Sequence, residues 1–205
     1  MDYLQQLRDV KLLPLYTATT LDCLDTVEEL LVEGGVPMIE VTYRSRLASD
    51  AIRRLSASGR VTVGAGTVRS LEQAKDALAC GARFLVTPGL VEEVLDYCRQ
   101  QGVLCLPGVA TPSELQIGLR YGISVFKFFP ANVYGGLEGI KALSGPYYDV
   151  SFLPTGGVNE ENYLDYLGHK SVAAVGGSFI LSEQQVLADP AAAAAHLREL
   201  VARLG

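Results

Sequence analysis

Short apolar runs rich in β-branched and aromatic residues alternate with longer amphipathic stretches along the whole chain. The strand-like runs are Lys11–Thr17, Met38–Tyr43, Val61–Val63, Phe84–Thr87, Val103–Pro107, Val125–Phe129, Ser151–Pro154 and Val172–Val175. Their starts lie roughly 20–27 residues apart, about one strand–helix unit each. Between them, Leu21–Val32 sets Leu24, Val27, Leu30 and Leu31 on one stripe with Glu28 and Glu29 off it, and Ser70–Ala79 and Val91–Gln101 read the same way. Gly34-Gly35, Gly59, Gly81, Gly102 and Gly122 each follow a helical run, where a left-handed cap is needed. Ser70 and Thr111 are placed as N-caps, and Ala191–Ala195 after Pro190 reads as the start of the last helix.

Eight apolar strands alternating with helices predict a parallel sheet buried on both faces. Eight units close naturally into a (β/α)8 TIM barrel, with a doubly wound open sheet as the competing arrangement. The expectation is one domain over 1–205 with an N-terminal helix and short loops. No apolar run approaches the ~18 residues that span a bilayer, and Asp2, Arg8 and Asp9 stand where a secretory signal would be apolar. The 17 basic against 23 acidic side chains give a net charge of −6, which excludes a generally basic nucleic-acid binder. Cys23, Cys80, Cys98 and Cys105 lack CxxC spacing, and His169 and His196 are the only histidines, read here as surface residues far from the strand tips. A soluble, cytoplasmic, metal-poor domain is expected.

Polar residues that interrupt the apolar strands are the informative ones. Lys127 lies inside Val125-Phe126-Lys127-Phe128-Phe129-Pro130, and alternation puts Val125, Lys127 and Phe129 on one face. Desolvation there disfavours an ammonium and frees a nucleophilic amine; snorkelling to solvent or pairing with a carboxylate is the alternative. Glu40, Thr42 and Arg44 share a face, either as a structural Glu40–Arg44 ion pair or as a proton carrier beside a guanidinium that binds a carboxylate. Gly64-Ala65-Gly66-Thr67, placed after the third strand, offers close approach to a ligand or a tight turn. Thr155-Gly156-Gly157 and Gly176-Gly177-Ser178 put double glycines after the last two strands, the usual place of a barrel phosphate site, though Gly-Gly also makes plain turns.

With those residues placed, the chain resembles the bacterial 2-keto-3-deoxy-6-phosphogluconate (KDPG)/KHG aldolase family over nearly its whole length. The motifs that carry the likeness are Ile39-Glu40-Val41-Thr42, Gly64-Ala65-Gly66-Thr67-Val68, Thr87-Pro88-Gly89-Leu90, Pro107 through Glu114, Phe126-Lys127-Phe128-Phe129-Pro130-Ala131 and Pro154-Thr155-Gly156-Gly157-Val158. The resemblance implies a class I aldolase in which Lys127 forms a Schiff base and Glu40 shuttles protons. Arg44 and Thr67 would bind the pyruvate carboxylate end, with Thr155 lining the pocket near the imine. Gly156, Gly157, Gly177 and Ser178 would surround the phosphate. It further implies a homotrimer of barrels, with no metal and no cofactor, acting on a small keto acid and a phosphorylated aldehyde. Asn132 stands where many relatives carry an acidic residue, and Tyr43 replaces a usual leucine. Arg44 sets the chain closer to the phosphogluconate branch than to phosphogalactonate aldolases. Hydroxyglutarate cleavage, or a non-aldolase sugar-phosphate-binding barrel, is the competing function.

Overall fold

Nearly every strand residue is buried, but the two faces of each strand are buried against different partners. In the computed structural model, which describes residues 2–205, the elements run α1 (Tyr3–Val10), β1 (Leu12–Tyr16), α2 (Leu24–Glu33), β2 (Met38–Thr42), α3 (Ala48–Ala57), β3 (Thr62–Gly66), α4 (Leu71–Ala79) and β4 (Phe84–Val86). They continue with α5 (Glu92–Gln101), β5 (Leu104–Leu106), β6 (Gly108–Val109), α6 (Pro112–Arg120), β7 (Val125–Phe128), α7 (Gly136–Ser144), β8 (Ser151–Pro154), α8 (Tyr163–Leu167), β9 (Val175–Gly177), α9 (Glu183–Ala188) and α10 (Pro190–Ala202). All strand pairings are parallel. One sheet has the order β5-β4-β3-β2-β1-β9 and the other β6-β7-β8. Pro107, which has no N–H to donate, separates β5 from β6, so nine strands stand where eight were expected. Bridges Phe152↔Val172 and Thr155↔Gly176 tie β8 to the segment that carries β9.

Outward side chains such as Ile39, Val63, Leu85, Phe126, Phe128 and Phe152 pack with the helices in the larger core. Inward ones from β1, β2, β4, β5, β7 and β8, among them Leu13, Met38, Phe84, Leu106, Val125 and Leu153, form one second cluster. A flat sheet could not gather side chains from strands so far apart in order, so the sheet is curled, with the second cluster in its hollow. Leu7 of α1 joins that cluster, while Arg8 donates to Ser151 Oγ at 3.3 Å and Gln6 accepts from Thr62 Oγ1 at 2.9 Å. The first helix therefore plugs the N-terminal end of the strands.

Local rules explain most boundaries. Ser70 caps α4, Thr111 and Glu114 form a capping box at α6, and Asp189 caps α10 ahead of Pro190. Gly35, Gly59, Gly81, Gly102 and Gly122 all have positive φ, as their capping role requires. Other expectations need correction. Helix α2 starts at Leu24, because residues 21–23 form a turn, and Glu28 on it is buried rather than solvated, facing Arg60 at 3.4 Å. Gly64 and Gly66 belong to β3 itself, not to a loop after it. Gly176 and Gly177 likewise lie in β9, and the predicted strand Val172–Val175 contributes only its last residue to that strand. Glycine is placed inside these strands by tertiary crowding, which overrides its poor strand propensity. Among the described residues, no helix is long and apolar enough to cross a membrane, and no group of three metal-ligating side chains gathers.

Candidate active site

Two buried charges face each other across the hollow. Lys127, third residue of β7, is 3% exposed, and Glu40, third residue of β2, is 0% exposed. Lys127 Nζ donates to Glu40 Oε1 at 3.1 Å and Oε2 at 3.5 Å. These strands belong to different sheets, so only the curl brings the pair together across 87 positions of sequence. The lysine is therefore a paired inner residue and not one that snorkels to water. Glu40's ion-pair partner is Lys127, not Arg44. Of the neighbouring aromatics only Phe129 approaches the amine, at 5.4 Å to the ring centroid, while Phe126 and Phe128 point outward into the helical core. Moving one proton along the 3.1 Å contact turns ammonium and carboxylate into amine and acid with no change in net buried charge. That makes a nucleophile available without stranding a charge.

The surroundings of Glu40 explain the glycines of β3. A Cβ on Gly66 would sit 2.1 Å from Glu40 Oε1, and one on Gly64 would sit 2.2 Å from the Phe84 ring. The carboxylate occupies space that any other residue at position 66 would fill. Thr67 follows directly, with φ 56°, a left-handed conformation that costs a β-branched residue ~1–3 kcal/mol. It adjoins the Glu40 niche but does not line the cavity described next. Thr42, inward and fully buried, bonds Thr17 Oγ1 at 2.7 Å.

A cavity of about 230 Å³ opens at the C-terminal ends of the strands. Six of the predicted residues line it: Arg44, Thr155, Gly156, Gly157, Gly177 and Ser178. Leu15, Phe129 and Val158 line it too and were not anticipated, although Phe129 shares Lys127's face by simple alternation. Gly156 and Gly157 have φ of 87° and 80°, so their amides turn along a path closed to most side chains. The Asn132 side chain packs 2.3 Å from where a Gly157 Cβ would be, and Asn132 N donates to Gly156 O at 3.1 Å. The loop left unexplained by sequence thus braces the glycine pair. His196 is another correction: it is half-buried, with Nε2 2.7 Å from Phe179 O, one residue beyond Ser178. Another cavity, also about 230 Å³, lies at the opposite strand ends against Leu4, Cys98, Cys105 and Ile123, and no lysine or carboxylate lines it.

Curled parallel strands, a lysine–carboxylate pair in the hollow and a glycine-lined mouth define an α/β enzyme equipped to form an imine on an anionic carbonyl compound. The KDPG and KHG aldolase family model matches residues 4–196. The 2-dehydro-3-deoxy-phosphogluconate aldolase of Treponema pallidum is 38% identical over 185 residues, 90% of this chain and 88% of that protein. A crystal structure of a 4-hydroxy-2-oxoglutarate/2-dehydro-3-deoxyphosphogluconate aldolase superposes with TM-score 0.92 at 40% identity, covering 100% of both chains. KDPG aldolase from Legionella pneumophila, with pyruvate captured as a covalent carbinolamine, matches with TM-score 0.86 at 38% identity over 93% of this chain and 92% of that one. The chain belongs to the KDPG and KHG aldolase family. It is a lyase, an aldolase of the imine-forming class.

Proposed function

We propose that the chain cleaves 2-keto-3-deoxy-6-phosphogluconate to pyruvate and glyceraldehyde 3-phosphate, with Lys127 as the imine-forming residue and Glu40 as its proton carrier. The observation that carries this reading is the buried 3.1 Å contact between the two side chains. Lys127 Nζ adds to the C2 ketone, and Glu40 delivers the proton with which the carbinolamine loses water. The iminium then accepts the electron pair of the C3–C4 bond while the Glu40 carboxylate takes the C4 hydroxyl proton, and the aldehyde leaves. The enamine regains a proton at C3, and water hydrolyses the iminium to release pyruvate and restore the amine. Arg44 in the cavity, with Thr67 beside the Glu40 niche, holds the carboxylate end, which keeps the ketone beside Lys127, and Thr155 borders the imine. Gly156, Gly157, Gly177 and Ser178 hold the phosphate, whose binding helps to orient the reacting end.

The same reading closes the curled sheet into an eight-stranded barrel through the β8–β9 bridges and the Pro107 junction. Copies then associate as a cytoplasmic homotrimer, for which exposed Val133, Tyr134 and Tyr148 offer apolar surface. The test of substrate is pyruvate release from phosphogluconate-, phosphogalactonate- and hydroxyglutarate-derived keto acids at matched concentrations. Fastest cleavage of the first supports the assignment; a faster hydroxyglutarate reaction transfers it to that substrate.

A further inference from the structure

The loops that follow β1 and β9 are joined by one buried carboxylate that the proposed chemistry does not use. Glu183, at the start of α9, is 8% exposed. Its Oε1 accepts from Thr19 N at 2.8 Å, Thr20 N at 3.1 Å and Tyr16 Oη at 3.4 Å. Its Oε2 accepts from Thr19 N at 3.0 Å and from Thr19 Oγ1. A carboxylate loses several kcal/mol of hydration on burial, and these donors replace it. Both oxygens are committed, so this group is not free to move substrate protons.

What it holds borders the site on both sides. From Thr19 the chain runs back two residues to Thr17, whose hydroxyl bonds Thr42, which shares Glu40's inward face. From Glu183 it runs back through Ser182, the cap of α9, to Phe179 and Ser178. Phe179 O is in turn approached by His196 Nε2 at 2.7 Å and Gln185 Nε2 at 3.5 Å. The two loops wall a cleft of about 460 Å³ that shares Leu15 and Ser178 with the active-site cavity.

We propose that Glu183 is a positioning residue that locks the end of β9 and the loop after it, which carry Gly177 and Ser178, against the β1 loop, and so sets the grip on the phosphate end of the substrate. Burial pushes its carboxyl pKa up, but the Thr19 and Thr20 donors outweigh that and hold it below the ordinary glutamate range, so it is a carboxylate throughout neutral pH. The inference rests on the aldolase reading above and goes past it, to a residue that touches no reacting atom.

The test is Glu183→Gln, which turns one acceptor into an N–H donor facing the Thr19 and Thr20 amides. KM for the phosphorylated keto acid should rise about tenfold, in line with loss of a charge-assisted bond. The turnover number and the KM for an unphosphorylated 2-keto acid should stay within about twofold. Equal losses on both substrates, or no loss on either, overturn the proposal. Should Glu183→Gln not fold, Thr19→Val removes one hydroxyl bond and keeps both amides; it should shift the same selectivity by about threefold, and an unchanged ratio overturns the proposal just as well. Borohydride trapping of pyruvate on wild-type Lys127 is run alongside. If that adduct is absent the aldolase reading has failed, whereas its presence with unshifted selectivity isolates the failure to Glu183.

Discussion

Along β2 the inward side chains run Met38, Glu40, Thr42; along β7 they run Val125, Lys127 and then Phe129 at the strand's end. The N-terminal half of each series is apolar and sealed by Leu7 of α1. The C-terminal half carries the ion pair, and beyond Lys127 on the same face Phe129 lines the glycine-lined cavity. The same strands thus supply stability at one end and chemistry at the other, and the change takes one step of alternation. A buried charge is tolerated here because another element supplies its counter-charge, while the apolar end needs only volume and shape.

That contrast breaks first at the lysine. Lys127→Met should lower turnover by more than about ten-thousandfold with the far-UV circular dichroism spectrum unchanged, since among the described residues no other lysine is buried. Residual turnover near one-tenth would place the chemistry elsewhere. The opposite result is expected at the plugged end. Leu7→Ala should cost ~2–5 kcal/mol in urea unfolding through its cavity, with the turnover number kept within about twofold where the protein is folded. A tenfold loss of turnover there would show that the two ends are not separable.

Gly66→Ala tests the junction between the ends. The added methyl falls on the Glu40 carboxylate, so turnover should fall about a hundredfold, as misplacement by an ångström does. A stability loss without a rate loss would mean that Glu40 does not work from this position. The smallest effect concerns acid. Because the carboxyl of Glu183 is held below its ordinary range when folded, its stabilisation is complete above that range and fades as pH falls through the folded-state value. Thermal midpoints of the wild type and Glu183→Gln should therefore differ at pH 7 and converge in strong acid; a constant gap contradicts the sign.

Lys127 and Glu40 were legible in the sequence because each is a charge inside an apolar strand, and the order of strands and helices followed from spacing and caps. Their meeting follows from the family resemblance and not from any local pattern: the two positions lie on strands of different sheets, and only the curl joins them. Gly64 and Gly66 have the local look of a loop, since nothing near them in sequence says that a phenyl ring and a carboxylate fill the space their side chains would take. Val172 to Val175 looks like one strand by hydropathy, yet the ladder with β1 starts only at Val175, where Leu12 is its partner. Glu183 and His196 look like ordinary residues of surface helices. Their partners, Thr19 and Thr20 for one and Phe179 for the other, are distant in sequence, and local patterns carry no trace of them.

The most direct measurement is reduction with borohydride in the presence of pyruvate, followed by peptide mass mapping. A carboxyethyl adduct on the peptide that contains Lys127, absent when pyruvate is omitted, is the predicted result. Pyruvate turned over in proton exchange with no adduct on that peptide, or with the adduct on another lysine, would contradict the assignment of the paired amine as the imine-forming group.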